Sequence, residues 1–164
     1  MQSDFQDVCI ARASQMEKPH IWQLLQLHLR DLSKDASNGR VYAYKYFDHY
    51  WCEPTREPLL FRLDGTVIGF ALINGWSASG QITDKSMAEF FILHEYRRSG
   101  FGTYVAKEII GQRKGQWEIP VLHNNRPAQF FWRSVVLSLN GHLTEVVAGN
   151  ENRWSGPIFR FVIR

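Results

Sequence analysis

Between Pro58 and Leu93 the chain alternates apolar runs with turn residues and leaves no room for a helix. Pro58 to Leu63 and Val67 to Ile73 read as strands, joined by Asp64-Gly65, a strong two-residue hairpin signal. Asn74-Gly75 and Ser77 to Gly80 read as a loop. Met87 to Leu93 is a third apolar run, interrupted by Glu89. Three consecutive strands this closely linked are expected to pair antiparallel. Upstream, Phe5 to Ala13 reads as a first strand. Pro19 then sits where a helix can start, and Ile21, Leu24, Leu25, His28 and Leu32 fall on one helical stripe. Ser37, Asn38 and Gly39 break that pattern. Tyr44 to Trp51 reads as a second helix, ended near Pro54.

Downstream the periods alternate. Gly100 opens a helix in which Phe101, Tyr104, Val105 and Ile109 share a face, and Gly111 to Gly115 closes it. Trp117 to Leu122 reads as a strand. Asn124 or Asn125 can cap the next helix, Pro127 suits its first turn, and Asn140-Gly141 suits its end. Leu143 to Val147 and Ile158 to Ile163 read as closing strands. The order is β-α-α-β-β-β-α-β-α-β-β, with helical crossovers after the fourth and fifth strands, as parallel pairing demands. A mixed α/β sheet of about seven strands with helices on both faces is the economical outcome.

At 164 residues the chain suits one domain, 1–164, with enough length to bury a core unaided. Apolar residues make up 45% and charged residues 21%, which excludes a disordered composition. The net charge of +3 is small and dispersed, whereas nucleic-acid binders show a basic stripe. Cys9 and Cys52 form no metal-ligand pattern, so no metal is expected and both read as reduced, partly buried thiols. No leader pattern and no membrane-length apolar run occurs, so the expectation is a cytoplasmic protein without membrane attachment.

The chemistry concentrates in Glu89 to Thr103, where a buried strand enters a basic loop with two glycines and a helix follows at once. The first turn of a helix has amides without intrahelical partners and carries partial positive charge. A phosphate can accept those hydrogen bonds. Gly100 and Gly102 lack Cβ atoms and admit a bulky anion, and Arg97 and Arg98 add charge. Neither glycine precedes Lys, so this is not a Walker loop. Val105 stands where a dinucleotide fingerprint needs a small residue, and Val121 to Asn125 lacks its acidic residue.

Arg97-x-x-Gly100-x-Gly102 resembles the Q/R-x-x-G-x-G/A signature of the GNAT superfamily of acyl-CoA N-acyltransferases. Asn125-x-x-Ala128, continuing to Phe131 and Trp132, is similar to that family's Asn-x-x-Ala helix after the fifth strand. The resemblance implies a sheet that splays between strands 4 and 5 and holds acetyl-CoA as co-substrate. The backbone of Phe91, Ile92 and Leu93 would pair with the pantetheine. The amides of Arg98, Ser99, Gly100, Phe101, Gly102 and Thr103, beside Arg97, would hold the pyrophosphate. Asn125 would contact the pantetheine arm. A primary amine, on a small molecule or a peptide, would attack the thioester directly in a ternary complex, with a backbone N–H such as that of Ile92 on the oxyanion.

Glu89, the lone carboxylate of its apolar strand, is the candidate general base. His94 and His123 are alternative proton carriers. The family's general acid is a tyrosine seven residues after the motif asparagine; Trp132 stands there, and indole is no acid. Tyr96 and Tyr104 are substitutes for it. That departure keeps open a second class, an acyl-CoA-binding or sensory module with lost catalysis. Tyr42, Tyr44, Tyr46, Phe47, Tyr50 and Trp51 cluster where the resemblance places the acceptor, with Asp48 and Glu53 near enough to attract an ammonium group. Arg126 and Arg133 flank the second motif, within reach of a CoA phosphate. The sequence leaves a homodimer open.

Overall fold

The computed structural model describes residues 5, 7–34, 40–140, 145–148 and 152–164. Its strands are β1 (Val8–Arg12), β2 (Glu57–Leu63), β3 (Thr66–Asn74), β4 (Lys85–Ile92), β5 (Gly115–Pro120), β6 (Glu145–Ala148) and β7 (Pro157–Ile163). Its helices are α1 (Lys18–Ser33), α2 (Phe101–Gly111) and α3 (Arg126–Asn140). The seven strands follow the order β1-β2-β3-β4-β5-β7-β6, flanked by the helices. β3 and β4 run through two compact units, one of residues 1–72 and 89–96, the other of 73–88 and 97–164.

In the first unit β1 and β2 pair antiparallel from Val8↔Leu63 to Arg12↔Leu59. The β2–β3 hairpin turns on Asp64 and Gly65, both in left-handed backbone, φ 50° and 78°. A type I′ turn requires that of both central residues, and Asp-Gly tolerates it. α1 opens with Pro19 in its first turn and buries Ile21, Leu24 and Leu25, while His28 and Leu32 are half-buried. The residues expected to break this helix, Ser37 to Gly39, lie outside the described ones.

The expected helix over Tyr44 to Trp51 is instead a short 3-10 segment, Phe47–Trp51. Tyr46 enters it with φ 66°, a conformation no α-helix contains. Lys45 and Arg56 lie over the Tyr46 ring at 5.0 and 5.6 Å, cations held on an aromatic face. Cys9 and Cys52 are exposed rather than partly buried, because Cys9 lies on the outward side of β1 and Cys52 follows the 3-10 segment.

β3 and β4 approach closely at Gly69. A Cβ there would stand 2.2 Å from the carbonyl oxygen of Phe91 and 3.0 Å from the Phe61 ring. The Leu93 amide donates to Ile68 O at 2.8 Å beside it. Gly69→Ala should therefore force the strands apart and cost roughly 3 kcal/mol, as overpacking does. Urea unfolding measures it, and a midpoint equal to wild type would refute the close approach.

In the second unit β4 and β5 pair parallel through Lys85↔Trp117 and Ser86↔Glu118, and the ladder ends there. That termination is the splay expected between strands 4 and 5. β7 pairs antiparallel with β5 from Gly115↔Ile163 to Pro120↔Ile158, and with β6 from Glu145↔Arg160 to Ala148↔Pro157. The crossover through α3 thus reaches β6 with β7 inserted between it and β5, so β5 gains no adjacent parallel partner on that side. α2 buries Phe101, Val105, Ala106, Ile109 and Ile110, leaving Tyr104 half-buried. Trp117 and Phe161 stack at 6.2 Å in the core. The expected helix end at Gly141 and the strand start at Leu143 and Thr144 lie outside the described residues.

Glu118 organises this unit. Its side chain is fully buried, and it accepts from the amides of Ala78 (2.8 Å) and Ser79 (3.3 Å) and from the hydroxyls of Ser77 and Ser79. Arg160 Nε donates to it at 3.2 Å and reaches Gln81 Oε1 and Ile82 O with its other nitrogens. One carboxylate therefore pins the loop between β3 and β4. Burial pushes its pKa up, but the donors from Ser79, Thr83 and the Ser79 and Ala78 amides outweigh that and hold it below 4.5.

Candidate active site

β4 places Glu89 and Phe91 on one face, two residues apart. α1 sets His28 against that face. His28 Nε2 lies 2.8 Å from Glu89 Oε2, and the Tyr44 hydroxyl donates to Glu89 Oε1 at 3.1 Å. Glu89 is 16% exposed and His28 13%. The imidazole sits edge-on to Phe70 at 6.1 Å and tilted on Phe91 at 5.3 Å. Burial first, then the Glu89 charge and Tyr50, push the Tyr44 hydroxyl far above the usual phenol range, so it stays a donor. Glu89, expected as a lone carboxylate, is thus the centre of a three-residue cluster. The polar His28 in an otherwise apolar stripe was the sequence signal for it.

Tyr44 also lines a cleft of ≈ 470 Å³, together with Lys18, Pro19 and Trp22 of α1 and Phe47 and Asp48. Lys18 Nζ pairs with Asp48 at 2.6 Å and lies 5.4 Å from the Trp51 ring. The aromatic residues of 42–51 divide in role: Phe47 and Tyr50 are buried, and Tyr46 is exposed. Glu53 is occupied by Arg56 Nε at 2.5 Å and His49 at 2.8 Å.

Beyond Glu89, Phe91 and Ile92 are buried and Leu93 is half-buried. His94 is exposed at the start of a 3-10 turn, His94–Tyr96. Tyr96 is half-buried.

In the second unit Arg97, Arg98, Ser99 and Gly100 are exposed, Phe101 is buried, Gly102 half-buried and Thr103 exposed. Arg98 and Gly100 take left-handed φ values of 59° and 89°, and Gly100 is the N-cap of α2. Gly100 brings no side chain to the helix end, and its carbonyl accepts from the Tyr104 amide at 3.0 Å. The amides of Gly102 and Thr103 fall in the turn that has no intrahelical acceptor.

Asn125, not Asn124, caps α3: its Oδ1 accepts from Ala128 N at 3.3 Å. The cap uses the side-chain oxygen, and Asn125 is half-buried. His123 is exposed, 3.4 Å from Ser155 Oγ. Trp132 is buried at 6% exposure and packs edge-on against Phe131. Arg126 and Arg133 are exposed, Arg133 lying 5.9 Å over the Phe159 ring. Among the described residues no cluster of His, Cys, Asp or Glu could hold a metal, and no helix is long and apolar enough to cross a membrane.

Comparison with solved structures finds this fold repeatedly. An acetyltransferase from Thermus thermophilus superposes with a TM-score of 0.65 at 12% identity, over 98% of each chain. Arabidopsis thaliana NAA60 in complex with a bisubstrate analogue gives 0.62 at 14% identity, over 96% of this chain and 98% of that one. A GNAT acetyltransferase from Elizabethkingia anophelis with acetyl-CoA bound gives 0.56 at 12% identity, over 97% and 99%. Comparison with curated proteins gives no match. The sequence model of the acetyltransferase (GNAT) family matches residues 21–135, from α1 through the splayed strands and glycine-capped helix into α3. The chain belongs to the acetyltransferase (GNAT) family.

Proposed function

We propose that this acetyltransferase is an N-acetyltransferase, which moves the acetyl group of acetyl-CoA to a primary amine by direct attack within a ternary complex. The observation that carries the reading is one continuous segment. β4 bears a half-buried carboxylate at Glu89, its ladder with β5 has ended at Ser86, and a glycine-capped helix follows at Phe101. The residues fit the cofactor: the amides of Arg98 to Thr103 with the Arg97 guanidinium suit a diphosphate, and Phe91 to Leu93, whose Leu93 amide is given to Ile68 O, are assigned to the amide-bearing arm as the family resemblance implies. Asn125 is likewise assigned to the pantetheine arm on the family resemblance. Acetyl-CoA supplies the activated acyl group. Glu89 is the carboxylate on which proton removal from the ammonium depends.

The acceptor is a peptide or small-molecule amine that enters by the cleft beside Tyr44. Aromatic walls there suit an ammonium or the apolar stem that carries it. Among proteins of the same fold, one from Escherichia coli is a ribosomal-protein-S18-alanine N-acetyltransferase, which supports amine chemistry on this scaffold. Buried Trp132 supplies no acid to the departing thiolate, whose proton would come from water or from the amine.

A library of peptide and small-molecule amines, followed by CoA thiol release, tests the function. Glu89→Gln should lower kcat with the leading amine by about 100-fold and leave acetyl-CoA affinity near wild type. Unchanged turnover would remove Glu89 from the chemistry.

A further inference from the structure

We propose that His28 and Glu89 form one proton-accepting dyad, in which His28 Nδ1 takes the proton from the acceptor ammonium and Glu89 orients and balances the imidazolium. The inference rests on the reading that this chain acetylates an amine. Its basis is the 2.8 Å contact between His28 Nε2 and Glu89 Oε2. A carboxylate oxygen accepts, so Nε2 carries the hydrogen and the lone pair is on Nδ1. Among the described residues no hydrogen bond to His28 Nδ1 is found, and the His28 side chain keeps 13% of its surface exposed. Tyr44 holds the second carboxylate oxygen.

Stability does not explain this cluster. Burying two ionisable side chains beneath a helix gains little over apolar residues of the same volume. Leucine at position 28 would complete the stripe of Ile21, Leu24, Leu25 and Leu32. The imidazole meets Glu89 from β4, whose other oxygen takes the Tyr44 hydroxyl, and Tyr50 of the 3-10 segment acts on Tyr44. Phe70 of β3 and Phe91 of β4 close the site with rings. On α1 itself the next charged groups are half-buried Arg30 and exposed Asp31. Orientation of an imidazole by a carboxylate is a division of labour that lets histidine act as a base.

The step balances. The ammonium N–H bond breaks and its proton goes to Nδ1, giving an imidazolium opposite the carboxylate. The freed lone pair attacks the thioester carbonyl and the C–S bond breaks; the proton that the new amide nitrogen must lose passes, through water, to the departing thiolate. The imidazolium then returns its proton to solvent.

His28→Gln separates the roles, because glutamine can still donate to Glu89 but cannot accept a proton. CoA release would be followed from pH 5.5 to 9.5 with the leading amine of the screen and with water alone as acceptor. His28→Gln is expected to lower kcat/KM about 100-fold below pH 8 and to erase the acidic limb of the profile, with acetyl-CoA affinity unchanged. Loss in Glu89→Gln with a wild-type profile in His28→Gln would overturn the dyad and leave Glu89 in place. Wild-type rates in both would overturn the dyad and the Glu89 reading together. Should His28→Gln not fold, long-range ¹H–¹⁵N spectra of the wild-type protein decide. A neutral Nε2–H tautomer titrating with the acidic limb supports the dyad; an Nδ1–H tautomer, or a titration apart from the limb, overturns it.

Discussion

Replacing Glu118 by alanine should cost the protein about 3–5 kcal/mol, because it strips the partner from a buried guanidinium and from two loop amides at once. Arg160 is 9% exposed in its side chain, and its Nε faces Glu118. The Ala78 and Ser79 amides donate to the same carboxylate. Without it, the Ala78 amide lies buried and unpaired and Arg160 keeps Gln81 Oε1 and Ile82 O with no carboxylate to balance its charge, so the loop carrying Ser77 to Thr83 loses one of its anchors. Urea unfolding should show the drop, and Glu118→Gln should retain part of the stability. The acid limb follows from the same contacts. The folded pKa of Glu118 lies below its ordinary 4.5, so its contribution is fully present above that value. It is lost as the pH falls through the lower folded value. Wild-type stability should therefore fall on acidification below about pH 4.5 more steeply than that of Glu118→Gln. Parallel pH curves would show that the carboxylate is not the group concerned.

Gly102→Trp should lower acetyl-CoA affinity by at least about 100-fold, equivalent to roughly 2.7 kcal/mol, while the melting temperature stays near wild type. Gly102 is half-buried in the first turn of α2, where a phosphate would have to approach the backbone. The buried face of α2 is carried by Phe101, Val105 and Ile109, and Gly102 is not among its buried residues. Isothermal titration with acetyl-CoA reads the effect. Affinity within about threefold of wild type would count against this helix end as the cofactor site.

The elements legible in the sequence were those whose determinants are local. Asp64-Gly65 specified its turn through the two left-handed residues that it tolerates. Gly100 and the pair Asn124-Asn125 marked the starts of α2 and α3, Asn125 proving to be the cap, because a cap is a property of one residue and the next turn. Tyr44 to Trp51 misled because aromatic spacing mimics helical period, whereas the backbone there follows Tyr46 in left-handed φ with Arg56 on its ring. The insertion of β7 beside β5 depends on pairing between distant segments, which no local pattern encodes. The same holds for the site. Glu89 was visible as a charge in an apolar strand, but its partner His28 lies 61 residues away. Glu118 shows the same signal in β5 and serves as an anchor instead, so a lone acid in a strand does not by itself distinguish chemistry from architecture.

The cofactor assignment stands or falls on where the diphosphate lies. A crystal structure of the protein with acetyl-CoA should place those phosphates within hydrogen-bond distance of the backbone amides of Arg98 to Thr103. Diphosphate density away from the start of α2, with those amides turned to protein acceptors, would contradict the account.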